Sequence, residues 1–154
     1  MISHSRHSIQ VILLIILIAT LQHSRVLTVM GVAPNVMLAL TVALAFFIDS
    51  FLLFLIMAIV AGAFIRFAPG LSVASAVFIV CAVIGYWLRR RIVQPGLVAY
   101  CITIGTASIL FTILMAPGFI IRYPALFLGE VLYTMISGVL LFELIKWVRG
   151  LERV

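Results

Sequence analysis

Glu130 is an acidic residue inside a long apolar run, and polar residues follow it at helical spacing. Thr134 and Ser137 lie four and seven positions after it, so the three side chains form one stripe on a helix. An ionisable group in an apolar span is costly to bury and commonly marks a proton or substrate site. Arg122, just before this run, is a cation that could reach Glu130. The alternative to a proton or substrate site is therefore an interfacial ion pair or a polar contact between helices.

The sequence contains none of the motifs on which hydrolytic, nucleotide-binding or metal-dependent enzymes rely. It has no HExxH, GxSxG or Walker sequence, and no two carboxylates share a helical face in a span where Mg²⁺ would bind. Cys81 and Cys101 lie in apolar runs without a CxxC spacing or companion histidines, as small core residues do. The sequence therefore predicts a protein that is not an enzyme and that holds no cofactor or metal.

The composition places the chain in a membrane. Of its 154 residues 66% are apolar and 9% charged, whereas soluble domains have roughly 45–50% and 25%. The mean hydropathy is +1.40. Because a membrane-spanning helix takes about 20 residues, this length holds five or six spans and leaves no room for a soluble catalytic domain. We expect an all-α integral membrane helical bundle, forming a single domain over residues 1–154.

Proline and glycine divide the chain into six apolar runs. The predicted helices cover about residues 9–21, 36–48, 51–67, 71–88, 97–115 and 124–147. The second and third runs form either two helices or one long tilted span. We favour two, with Asp49 and Ser50 capping the turn, because Asp49 at mid-bilayer would be costly. The first run lacks a small-x-small cleavage site, so we expect a retained helix rather than a signal peptide.

The basic residues predict how the helices are oriented. The net charge of +6 comes mainly from residues at the ends of apolar runs, which favours topology and lipid headgroups over nucleic acid. With six helices and both termini cytoplasmic, most of the basic residues fall inside, as the positive-inside rule requires. The inside set is Arg6, Arg89, Arg90, Arg91, Lys146, Arg149 and Arg153, and the outside set is Arg25, Arg66 and Arg122. Within the inside set, Arg89–Arg91, Lys146 and Arg149 form a cytoplasmic basic edge suited to anionic lipid or a cytoskeletal partner.

Small residues recur at helical spacing in two of the runs. The fifth run carries Cys101, Gly105, Ser108 and Thr112, and the third carries Ala58 and Gly62. Such seams let helix backbones approach closely. We interpret them as packing surfaces within the bundle or for a partner helix.

The stretch from Gly31 to Phe46 carries a resemblance to a known family. Its Pro34-Asn35-Val36-Met37-Leu38 segment resembles the Pro-Asn/Asp-Leu-Leu-Leu element that opens the second helix of the bacterial rod shape-determining protein MreD family. The short first helix ending in Leu21-Gln22 and the division into six spans are also similar. The Gly-x-x-x-Asp element of the family's third helix differs, because Arg66 stands where the acid follows Gly62.

The resemblance implies a scaffold without catalytic activity in the bacterial cytoplasmic membrane. Members of the family are associated with MreC, with the actin-like MreB and with peptidoglycan synthases, and they support lateral wall growth and cell shape. Pro34, Asn35 and Gly62 are the positions carried over to this chain. No catalytic role comes with them.

A small transport subunit is the alternative. Substrate-binding subunits of vitamin (ECF-type) transporters are also strongly apolar proteins of about six helices, and a ligand pocket would need a concentration of polar and aromatic residues. The candidates for such a pocket are Tyr100, Arg122, Tyr123, Glu130, Tyr133 and Thr134. A generic membrane chaperone is a third class of protein that the sequence permits.

Overall fold

The computed structural model is all-helical over the residues that it describes, which are 3–24, 26–28, 32–64, 72–92 and 96–151, with side chains described from 13 to 147 in these ranges. In this part of the chain there are seven helices. They are α1 (Ser3–His23), α2 (Val36–Phe47), α3 (Phe51–Phe64), α4 (Val73–Arg91), α5 (Leu97–Met115), α6 (Pro117–Arg122) and α7 (Pro124–Leu151).

The predicted division of the chain agrees with the structure at most helix starts. The interval between Phe47 and Phe51 separates α2 from α3, so the prediction of two helices there is confirmed and the single long span is excluded. The short helix α6 was not predicted, since the Pro117-Gly118 pair indicated only a break. Proline at the first position of a helix is nevertheless favourable, because its missing N–H has no partner there in any case.

Helix α2 lies at the centre of the bundle. Eleven of its twelve residues are buried, as expected for a helix that is apolar all round. The other long helices surround it in the order α1, α3, α4, α5 and α7, each contacting the next. Within the described residues α7 and α1 do not touch, so the ring around α2 is open between these two helices.

Three segments are long and apolar enough to cross a membrane by length and composition: α4, α5 and the Pro124–Trp147 part of α7. Helices α2 and α3 have 12 and 14 residues. At 1.5 Å per residue these helices are roughly 18 and 21 Å long, shorter than a hydrocarbon core of about 30 Å.

Candidate functional site

The N-terminal end of α2 is held by neutral side chains from three parts of the chain. The first N–H groups of a helix have no partner within it. Here the Asn35 side chain accepts a hydrogen bond from the Leu38 N–H (3.2 Å), and Gln22 of α1 accepts one from the Met37 N–H (2.8 Å). The Asn35 N–H donates to Thr134 Oγ1 of α7 at 3.0 Å. We call Gln22, Asn35 and Thr134 the amide clamp.

The amide clamp lies at the middle of the apolar segment of α7. That segment runs from Pro124 to Trp147, and Thr134 is ten residues after its start. Thr134 is wholly buried, and Pro34, which precedes the clamp, is buried as well. The Pro34-Asn35 element therefore begins the central helix and fastens it to α7.

The C-terminal end of α2 is held by charged side chains of α4. Arg89 donates from Nη1 to the carbonyl oxygens of Ala45 (2.7 Å) and Ile48 (3.4 Å). Arg90 Nη2 and the Tyr86 hydroxyl both donate to the Asp49 carbonyl oxygen, at 2.9 and 2.7 Å. We call Tyr86, Arg89 and Arg90 the arginine clamp. Cations near a helix C-terminus also interact favourably with the helix dipole.

Asp49 does not cap α3 in the way the sequence suggested. Its carboxylate lies 3.5 Å from Arg89 Nη2 and its side chain is 94% exposed, so this ion pair contributes little. Ser50 alone faces the start of α3, with its Oγ 3.5 Å from the Leu53 N–H. What the Asp49 position supplies is its backbone carbonyl, which the arginine clamp binds.

These contacts divide the predicted cytoplasmic basic edge into residues that bind within the chain and residues that are exposed. Arg89 and Arg90 are engaged within the chain, and Arg90 also lies over the Tyr86 ring at 4.9 Å. Arg91 and Lys146 are exposed, and Lys146 forms an ion pair with Glu143 at 3.4 Å. The side chain of Arg149 lies outside the described part.

The three residues of the predicted polar stripe on α7 differ in burial. Thr134 points into the bundle, whereas Glu130 and Ser137 are half-buried on its flank, and Ser137 Oγ donates to the Tyr133 carbonyl at 2.8 Å. Arg122, the last residue of α6, is exposed, and within the described residues it forms no ion pair with Glu130. The helix break between α6 and α7 explains this, because the two residues are not on one continuous helix.

The small-residue seams face other helices of the same chain. Ala58 and Gly62 are buried, and a Cβ at Gly62 would lie 3.2 Å from Ile79 of α4. A Cβ at Gly105 would lie 3.5 Å from the Met135 sulfur of α7. The rest of the α5 seam comprises the half-buried Cys101 and the buried Ser108 and Thr112. These seams are therefore occupied by packing within the bundle.

Tyr100 and Gly138 form a close contact that sequence reasoning missed. Tyr100 is fully buried, donates its hydroxyl to the Ala39 carbonyl oxygen at 3.1 Å and stacks on Phe142 at 4.8 Å. A Cβ at Gly138 would overlap the Tyr100 hydroxyl. A glycine on the buried face of α7 was the available signal, since such residues let a neighbouring helix approach closely.

The residues proposed for a ligand pocket do not meet in one place. Tyr100 and Thr134 are buried and form hydrogen bonds between helices. Arg122 and Tyr123 are exposed, where α6 ends and before α7 begins. A cavity beside the amide clamp has a volume of about 110 Å³, against roughly 300–1,000 Å³ for ligand pockets. Among the described residues, every buried side-chain nitrogen and oxygen has a hydrogen-bond partner, and no cluster of three metal-binding side chains occurs.

Comparison with models of known protein families, with curated proteins and with solved structures finds no significant match to this chain.

Proposed function

We propose that the chain is a scaffold of the MreD type, embedded in the bacterial cytoplasmic membrane and acting by contact with other membrane proteins. The observation that carries the proposal is the placement of Pro34 and Asn35. These residues carry the sequence resemblance and begin the central helix, and Asn35 joins it to α7 through its bond to Thr134. Gln22 of α1 binds the same end of the helix at the Met37 N–H.

The proposed membrane arrangement follows from the two clamps. Six helices lie in the bilayer, with both termini and the arginine clamp on the cytoplasmic side. Arg89, Arg90 and the exposed Arg91 then meet the headgroup region, where arginine is favoured. Because α7 crosses the membrane and Thr134 lies at its middle, the amide clamp is near mid-depth, and α2 reaches from there to the cytoplasmic surface.

The scaffold acts without catalysis. Its buried polar groups serve to join helices to one another, as the amide clamp, the arginine clamp and Tyr100 do. The outward faces of α4, α5 and α7 are apolar, with Val80, Ile113 and Leu140 about half or more exposed. Such faces suit lipid and the transmembrane segments of partner proteins, for which MreC-like proteins and wall synthases are the candidates.

The test is affinity purification of the tagged full-length chain from membranes of a rod-shaped bacterium that encodes it, combined with its depletion. We expect an MreC-like protein to co-purify and rods to become spherical on depletion. Recovery of a pair of ATPase subunits instead, or thermal stabilisation of the purified chain by a vitamin, would contradict the scaffold and indicate the transport alternative.

A further inference from the structure

One exposed face of α4 changes from apolar to aromatic to charged along the helix. Its residues are spaced by four, three and four positions, so they lie on one side of the helix. They are Val80, Ile84, Trp87 and Arg91, all four are exposed, and we call this set the α4 face. Because α4 is long and apolar enough to cross a membrane, the α4 face meets lipid and its charged end lies at a membrane surface.

Beside the α4 face, the guanidinium of Arg90 is held in one position. It lies over the Tyr86 ring at 4.9 Å, and its Nη2 donates to the Tyr86 hydroxyl (2.7 Å) and to the Asp49 carbonyl oxygen (2.9 Å). Tyr86 is itself buried and stacks on Phe54 at 4.8 Å. Arg90 is nevertheless exposed, and within the described residues its Nε and Nη1 form no hydrogen bond. A fixed guanidinium with free N–H groups matches the oxygens of a phosphate.

The outward charge at this end of α4 is positive. Arg90 and Arg91 are exposed, whereas Arg89 is turned inward to backbone carbonyls at the end of α2. The Asp49 carboxylate lies 3.5 Å from Arg89 Nη2 and offsets the charge of that arginine. Two arginine charges therefore face the membrane surface without an anionic partner among the described residues.

We propose that this end of α4 binds an anionic phospholipid, with the lipid phosphate at Arg90 and Arg91. The order of chemistry along the α4 face matches that of the lipid. The acyl chain lies along Val80 and Ile84, and the ester region lies at Trp87, since tryptophan is favoured at the level of the headgroups. A headgroup of net negative charge, such as phosphatidylglycerol, balances the two arginines, whereas the zwitterionic phosphatidylethanolamine does not.

The end of α7 carries the same residue types in a different arrangement and provides a control. Trp147 is 64% exposed and Lys146 is exposed as well, but Lys146 is paired with Glu143 at 3.4 Å, so these two charges cancel. Trp87 and Trp147 are the two tryptophans of the chain, so fluorescence reads each helix end separately. The proposal needs only that α4 crosses the membrane, so it stands or fails independently of the scaffold role.

The test is quenching of tryptophan fluorescence by lipids that are brominated in the upper part of their acyl chains. The Trp147→Phe chain, with Trp87 as its sole tryptophan, is reconstituted in phosphatidylcholine with brominated phosphatidylglycerol or brominated phosphatidylethanolamine. An arginine near an anionic headgroup favours binding roughly fivefold, so two predict a preference for phosphatidylglycerol of about 25-fold at Trp87. The Trp87→Phe chain, which reports on Trp147, should show little preference. Equal quenching of Trp87 by the two lipids would overturn the proposal.

A pair of charge variants in the Trp147→Phe chain locates the site. Arg91→Gln removes one of the two charges at an exposed position and should lower the preference about fivefold. Lys146→Gln removes the same charge at the end of α7 and should leave the preference at Trp87 unchanged. Equal losses from the two variants would show only a general surface charge and would contradict a site at α4. Displacement of the lipid by excess soluble glycerol phosphate would assign the site to a free phosphate ester and overturn the proposal as well.

Discussion

The two ends of α2 are fastened by different chemistry. At its start, an amide and a hydroxyl from α1 and α7, together with Asn35, satisfy backbone N–H groups. At its end, two arginines and a tyrosine of α4 bind backbone carbonyls. Both ends meet the same need, which is to pair polar groups that the helix leaves free.

The difference reflects the surroundings of each end in the proposed arrangement. An arginine at mid-bilayer is costly, so the buried end is capped by neutral groups. At the other end Asp49 is 94% exposed, which fits a position at the membrane surface, and the enclosed Arg89 side chain (18% exposed) is satisfied by the Ala45 and Ile48 carbonyls. In this proposed arrangement the neutral caps lie toward the membrane interior and the charged caps toward its surface.

The largest expected effect is at the charged end. Replacing Arg89 by methionine leaves the Ala45 and Ile48 carbonyls without their donor, and a hydrogen bond to a charged group contributes roughly 1.5–3 kcal/mol. We expect the free energy of unfolding in mixed micelles to fall by about 3 kcal/mol. The matched control is Arg91→Met, two residues away and exposed, which should have little effect. Equal losses from both variants would show that the clamp is not specific.

The neutral end is tested by adding a charge. Asparagine and aspartate cap helices equally well in water, so Asn35→Asp would be nearly neutral at an aqueous site. Near mid-bilayer it should destabilise the protein by about 2.5 kcal/mol, measured in lipid bilayers. A loss below a few tenths of a kcal/mol would place this end of α2 in water.

The packing of α5 and α7 on the middle of α2, between its two ends, is tested at Gly138. A methyl group there displaces the Tyr100 hydroxyl, and overpacking of this kind costs about 2 kcal/mol. Gly105→Ala is the control, because its Cβ would meet Met135 at an ordinary distance of 3.5 Å. In a Tyr100→Phe background the Gly138→Ala loss should be smaller. If the loss is the same with and without the hydroxyl, the contact is not its cause.

The smallest effect is expected at Thr134. Thr134→Val keeps the shape of the side chain and removes the acceptor for the Asn35 N–H, at a cost of about 1 kcal/mol. Thr106, which is exposed and bonds only to its own helix, offers the matched Thr→Val control. Equal stability of the two variants would show that the bond from Asn35 to Thr134 does not stabilise the protein.

The sequence predicted the helices better than it predicted their connections. Apolar runs broken by Pro34 and Pro124 gave the starts of α2 and α7, because these breaks act locally. The clamps join residues distant in the chain, such as Asn35 with Thr134 and Arg89 with Ala45, and a single sequence does not show which distant residues meet. The expected Arg122–Glu130 pair is absent from the described part for a similar reason. Helix α6 ends at Arg122 and α7 begins at Pro124, so no helical spacing relates Arg122 to Glu130.

The depth of the amide clamp is the central claim, and water accessibility measures it directly. Ala33 and Asp49 are both exposed, and each is replaced by a single cysteine in a chain whose native thiols are removed by Cys81→Ala and Cys101→Ala. We expect a membrane-impermeant maleimide to label Asp49→Cys in inside-out vesicles. Ala33→Cys should be shielded by lipid from either side and react only after solubilisation in denaturing detergent. Labelling of Ala33→Cys in intact vesicles as fast as Asp49→Cys would contradict the account.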